Sequence, residues 1–222
     1  MSAGHDHGHA HAHAHDGNDF GKAFAIGTGL NLAYVVVQVL FGIFAHSLAL
    51  LADAGHNLGD VLGLLLAWGA TRLAQSRPTT RRTYGLRRSS ILAALANAAF
   101  LLIAVGGITW EAIRRLTSPG EVAGATVIWV AAIGVVLNTI TALLFISGRK
   151  GDLNIRGAFL HMAADAAVSA GVVIAGVAIL FTGWVVLDPI ASLLINAVIV
   201  IGTWGLLRDS LKMALDLVPE DV

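Results

Sequence analysis

Long apolar runs, each about the length a helix needs to cross a bilayer, recur along nearly the whole chain and limit what it can fold into. A helix needs about 20 mostly apolar residues to cross roughly 30 Å of hydrocarbon. Runs of that kind cover residues 21–44, 47–74, 89–115, 121–147, 157–182 and 187–211. Lipid offers no partner for open backbone groups, so each run reads as a helix rather than a strand. The expected architecture is an all-α membrane protein with six transmembrane helices. Pro78, Pro119, Pro189 and Pro219 fall in connections or at helix ends, where proline is tolerated.

Composition agrees. Hydrophobic residues make up 56% of the chain and charged residues 13%, against roughly 25% charged in an average globular protein. The net charge of zero gives no footprint for a nucleic-acid partner. With no cysteine, thiolate metal sites and disulfides are excluded, so a metal must be held by His, carboxylate, carbonyl or water.

The charged residues predict an orientation. Lys22, Arg72, Arg77, Arg81, Arg82, Arg87, Arg88, Arg149, Lys150, Arg156, Arg208 and Lys212 all fall on one side of a six-span arrangement. The other side has only Arg114 and Arg115, beside Glu111 and Glu121. The positive-inside rule makes the first side cytoplasmic and places both termini there. Residues 1–19 form a low-complexity tail, in which six His alternate with Gly, Ala and Asp. It has no apolar face, so disorder is expected. It also lacks the layout of a secretory signal. The interleaved Asp6 and Asp16 favour a metal-collecting tail over a purification tag. The expected division is the tail at 1–19, a transport domain at 20–215, and a short end at 216–222.

Ionisable side chains at membrane depth are costly, and so point to function. The second run contains Asp53, His56 and Asp60, and the fifth contains His161 and Asp165. Residues four apart share a helix face, so each helix presents an imidazole and a carboxylate together. Two nitrogens and two oxygens suit tetrahedral zinc. A lone His or Asp would be an ordinary interhelical hydrogen-bonding residue; two His-x-x-x-Asp copies on different spans favour a metal site formed by His56, Asp60, His161 and Asp165. Asp53 is either a carboxylate orienting the His56 imidazole or part of an outward path. Asn31, Gln38, Asn138 and Asn196 read as interhelical hydrogen-bonding residues, with Asn31 and Asn138 as candidates for the metal path. Gly55, Gly59 and Gly63 give a small-residue packing stripe. His46 reads as interfacial, and the five tryptophans fit an aromatic belt. Two other readings are a membrane metal sensor or scaffold, and an intramembrane zinc hydrolase. The hydrolase would need an open coordination position and a base; the chain has no His-Glu-x-x-His, and Asp53 is the only candidate base.

The run Ser47 to Asp60 (SLALLADAGHNLGD) resembles the second span of the cation diffusion facilitators, and Asn154 to Asp165 (NIRGAFLHMAAD) resembles their fifth. Tyr84-Gly85, Asp188-Pro189 and the His-rich leader fit the bacterial cobalt-zinc-cadmium resistance branch. The resemblance covers nearly the whole chain. It implies a homodimeric, proton-coupled exporter of Zn2+, Co2+ or Cd2+ in a bacterial inner membrane, not an enzyme and without a resident cofactor. His56, Asp60, His161 and Asp165 would be its transport site. Gln38 and Ser90 stand where the branch is expected to carry acidic residues. The family usually adds a soluble cytoplasmic domain after the sixth span, where this sequence ends at Asp221-Val222. With that domain absent, a cytoplasmic Arg88–Asp216 salt bridge, within or between protomers, is expected to help hold the dimer.

Overall fold

The computed structural model describes residues 17–74, 89–146 and 153–215. Residues 1–16 of the His-rich tail, Arg77, Arg81, Arg82, Arg87, Arg149, Lys150 and the Arg88–Asp216 pair lie outside the described residues, while residues 17–19, expected in the disordered tail, open the first helix. Six helices make up the described chain: α1 (Gly17–Phe44), α2 (Leu48–Ala74), α3 (Ser89–Thr117), α4 (Gly124–Phe145), α5 (Leu153–Thr182) and α6 (Leu187–Ala214). They follow the six apolar runs closely. The differences are at the ends. α4 begins three residues later than the apolar run, beyond Pro119-Gly120, and α5 begins four residues earlier, in a polar turn. An apolar run marks hydrocarbon depth, and the helix ends lie where backbone hydrogen bonding stops.

Four helices, α3 to α6, are long and apolar enough to cross a membrane. α1 contributes the shorter apolar stretch Thr28–Phe44. α2 is made more polar by Asp53, His56, Asn57 and Asp60. Those side chains are buried or half-buried, so its polarity faces other helices. The outer surface is the reverse. Ile103, Trp129, Ile201 and Phe181 are each at least three-quarters exposed, a surface suited to lipid and costly in water. Trp110, Trp129, Trp184 and Trp204 are all exposed, as an aromatic belt requires.

Inside, α2 packs against α1, α3, α5 and α6. The core is built from small and branched residues, among them Ala49, Leu50 and Ala52 of α2, Val105 of α3, Val127 and Ala131 of α4, Val172 of α5 and Ile195 of α6. Glycines set two close approaches. A Cβ on Gly124 of α4 would stand 3.0 Å from the Gly176 carbonyl of α5, a backbone contact that cannot relax. A Cβ on Gly59 would overlap Leu101 of α3. The Gly55–Gly59–Gly63 stripe is therefore a packing surface, as expected, and its partner is α3. The α2–α5 seam, where the ionisable pairs lie, is narrower.

Three connections gather at one end of the bundle. The Ala123 amide donates to the Ala45 carbonyl at 3.0 Å, joining the α3–α4 connection to the α1–α2 turn. Asp188, at the start of α6, reaches the same turn.

Candidate metal centre

His56 and Asp60 sit one turn apart on α2, and His161 and Asp165 sit one turn apart on α5. Helical spacing turns each pair to a common face, and packing sets the two faces opposite each other. His56 Nε2 lies 3.0 Å from Asp165 Oδ1 and 3.7 Å from Asp60 Oδ2. His161 Nε2 lies 3.4 Å from Asp60 Oδ2 and 3.6 Å from Asp165 Oδ2. The two imidazole rings meet edge to face, with centroids 6.2 Å apart. Each imidazole thus faces both carboxylates, one from its own helix and one from across the seam.

These distances can be set against four of the six ligand-to-ligand separations of a four-coordinate shell. A tetrahedron with zinc–ligand bonds of about 2.0–2.1 Å has edges of about 3.3–3.4 Å. The four N···O separations bracket that edge. His56, Asp60 and Asp165 each offer a ligand atom within 4.8 Å of the others. His161 falls outside that group of three, and its side chain is 46% exposed against 4% for Asp165. Asp60 Oδ2, at the centre of the group, is buried and has no hydrogen-bond partner. Among the described residues no Lys or Arg neutralises either carboxylate. Two carboxylates with no fixed positive charge beside them favour a cation there, either a metal ion or protons on the two imidazoles.

A second polar group lies one turn away. Asp53 is 1% exposed. Its Oδ2 accepts from Gln38 Nε2 of α1 at 2.6 Å and from Ser169 Oγ of α5 at 3.2 Å. Gln38 Oε1 in turn accepts from Asn57 Nδ2 at 2.9 Å. Asp53 Oδ1 has no partner. Its carboxylate therefore ties α1, α2 and α5 together and makes no hydrogen bond to the His56 imidazole. Gln38 is interhelical, as expected. Ser169 and Asn57 were not singled out from the sequence, although each lies four residues from a singled-out Asp, Asp165 and Asp53.

The remaining candidates lie apart from the four. Asn31 is half-buried on α1, and Asn138 is buried on α4 with its Nδ2 unpartnered. Neither hydrogen-bonds to the four ionisable residues. Asn196 donates to Thr109 Oγ1 at 3.0 Å, an interhelical bond between α6 and α3. His46 is exposed in the α1–α2 turn with φ of +52°.

Residues 25–214 match the family model described as the cation efflux transmembrane domain. The chain belongs to the cation efflux family. The zinc transporter ZitB of Pectobacterium atrosepticum is 37% identical over 194 residues, 87% of this chain and 61% of the relative. A cadmium, cobalt and zinc/H(+)-K(+) antiporter of Bacillus subtilis is 34% identical over 203 residues, 90% of this chain and 65% of the relative. The metal cation efflux system protein CzcD of Cupriavidus metallidurans is 35% identical over the full 222 residues, 68% of the relative. The chain thus spans roughly two-thirds of the length of these relatives. The match places it in the zinc, cobalt and cadmium branch indicated by its motifs. As a member of the cation efflux family with four helices long and apolar enough to cross a membrane, it is a multi-pass membrane protein, and these relatives bear the names of transporters, not of enzymes.

Proposed function

We propose that this chain exports divalent metal cations, zinc first among them, in exchange for protons. His56, Asp60, His161 and Asp165 hold the ion in transit. The observation that carries this reading is the four-group cluster across the α2–α5 seam, with N···O separations of 3.0–3.7 Å around an unpartnered carboxylate oxygen. All six helices span the membrane in this reading, with the termini in the cytoplasm of a bacterial cell and the protein in its inner membrane. Two copies form the working unit.

The chemistry follows from the ligand set. Metal binds neutral imidazole and ionised carboxylate, so loading displaces protons. Protons arriving from the other side compete for the same atoms and release the metal. One site thus serves both ions, and a proton gradient can drive efflux. Rocking of helices about a site near mid-membrane would expose it to each side in turn. Zinc suits a mixed nitrogen and oxygen shell because it imposes no geometry of its own.

The test is zinc flux in sealed proteoliposomes with an imposed proton gradient. His56→Ala, Asp60→Ala, His161→Ala and Asp165→Ala should each abolish flux while the protein inserts and folds. Wild-type flux from any of the four would remove that residue from the site. Flux absent from the unaltered protein would favour a sensor or scaffold.

A further inference from the structure

Asp188 opens α6 and is 1% exposed. Its carboxylate is directed at another helix. Oδ1 accepts from Ser47 Oγ at 2.5 Å and from the Ala49 amide at 3.3 Å, and Oδ2 accepts from the Leu48 amide at 2.6 Å. All three donors lie at the start of α2, the Ser47 hydroxyl on the residue just before it and the two amides in its first turn, about 140 residues earlier in the chain. Ser47 Oγ also accepts from the Leu50 amide at 3.1 Å. A helix start leaves four amides without intrahelical partners. Here Asp188 and Ser47 together serve three of them, Leu48, Ala49 and Leu50. The carboxylate also lies at the positive end of the α2 dipole.

This clasp is dry. Ser47, Ala49 and Leu50 are fully buried. The turn before it is fastened as well: the Ala45 carbonyl accepts from the Ala123 amide, and the His46 carbonyl accepts from Arg115 Nη1 at 2.6 Å. Two of the Asp188 bonds go to backbone amides, so α2 cannot slide along its axis without breaking them. His56 lies eight residues further along α2 and Asp60 twelve, about 12 and 18 Å at 1.5 Å per residue. α6 also packs along α5, which carries His161 and Asp165. A metal shell tolerates only about 0.2 Å of error in its bond lengths. The height of α2 relative to α5 therefore decides whether the two halves of the shell meet.

We infer that Asp188 is a positioning residue for the metal site: by clasping the first turn of α2 it fixes the axial register that brings His56 and Asp60 opposite His161 and Asp165. The inference rests on the proposed function of those four residues.

The experiment measures zinc and cadmium Kd by competition with a chelating dye, on the full chain purified in detergent and restricted to its folded, monodisperse fraction. Tm is recorded in parallel. Asp60→Ala is the control for the site itself. Asp188→Ala should weaken zinc binding by about tenfold or more, the range known for groups that orient metal ligands, and should change the zinc-to-cadmium Kd ratio. Asp188→Asn keeps one acceptor oxygen and should fall between it and the wild type. Ser47→Ala should shift both readouts in the same direction by less. A purely structural cap would lower Tm while leaving Kd and the ratio unchanged in the folded fraction, and that result overturns the inference. If Asp188→Ala does not fold, unchanged Kd and ratio in both Asp188→Asn and Ser47→Ala overturn it equally. Wild-type zinc binding by Asp60→Ala would remove the site, and the inference with it; loss there with no change at Asp188 or Ser47 sinks the inference alone.

Discussion

His56 Nε2 of α2 and Asp165 Oδ1 of α5 stand 3.0 Å apart, the shortest contact across the seam within the proposed site. The imidazole and the carboxylate hydrogen-bond to each other; a bound metal would replace this bond by two of its own. Asp165→Asn keeps the shape of the side chain and removes its charge. Groups that merely orient metal ligands are worth about 10–100-fold in affinity, so losing a charged ligand should weaken zinc binding by about 100-fold or more. Isothermal titration of the purified variant checks this. Zinc binding within threefold of wild type would show that Asp165 is no ligand.

His56 is the ligand whose exchange should change the choice of metal. His56→Asp would convert two nitrogens and two oxygens into one nitrogen and three oxygens. More oxygen-rich sites tolerate larger or harder ions. The variant should keep zinc transport and gain cadmium or manganese. Competition of each metal against zinc flux in proteoliposomes is the readout, and an unchanged order of preference would place selectivity elsewhere.

The four residues of the proposed site were legible in the sequence because two independent copies of one spacing fell inside apolar runs, in which the one Lys or Arg is Arg72, at the far end of the second. The helices were legible for the same reason: hydrocarbon thickness fixes their length. The Asp53 network and the Asp188 clasp were not. Each joins residues far apart in the chain, Asp53 to Ser169 and Ser47 to Asp188, and no local period encodes such a pairing. Asp188 stood out only as part of an Asp-Pro pair, and Ser47 only as the first residue of the second apolar run. The Gly55–Gly59–Gly63 stripe was legible as a packing surface, but periodicity does not name a partner, and the structure supplies α3.

Gln38 offers a test of the buried network. Its amide donates to Asp53 and accepts from Asn57. Gln38→Ala would leave Asn57 Nδ2 unpartnered and Asp53 with Ser169 alone. A buried polar group left unsatisfied costs about 1–3 kcal/mol. The variant should therefore be less stable by about 1–3 kcal/mol for the stranded Asn57 amide alone, seen as a lower midpoint in denaturant-dependent unfolding in detergent. An unchanged midpoint would mean that the network contributes little.

The α4–α5 approach predicts a contrast between two glycines. A Cβ on Gly124 meets the Gly176 carbonyl at 3.0 Å and the Leu180 nitrogen at 3.3 Å, both backbone atoms. A Cβ on Gly171 meets nothing within 4 Å. Gly124→Val should force the helices apart and destabilise by about 1–3 kcal/mol, the usual cost of overpacking. Gly171→Ala should be neutral or slightly stabilising, since alanine favours helix. Thermal melts of both variants decide it, and equal Tm values would show that this contact does not limit packing.

Protons and metal should compete directly if the same four atoms carry both. Zinc requires His56 and His161 neutral and Asp60 and Asp165 ionised. Lowering the pH from about 8 to about 6 adds protons to the free site and none to the loaded one, so by linkage it must weaken apparent zinc affinity. The sign is fixed: affinity rises with pH until the free site holds no proton that zinc must displace. Zinc added to the protein in weakly buffered detergent solution should also release protons, which a pH electrode or indicator dye counts. His56→Ala removes one proton-binding group, so any residual zinc binding should release fewer protons. Zinc affinity independent of pH over this interval, or binding without proton release, would show that protons and metal do not share these ligands. Coupling would then have to run through a separate proton carrier. The buried Asp53 carboxylate, with its unpartnered Oδ1 one helical turn from His56, would be the first residue to test by Asp53→Asn.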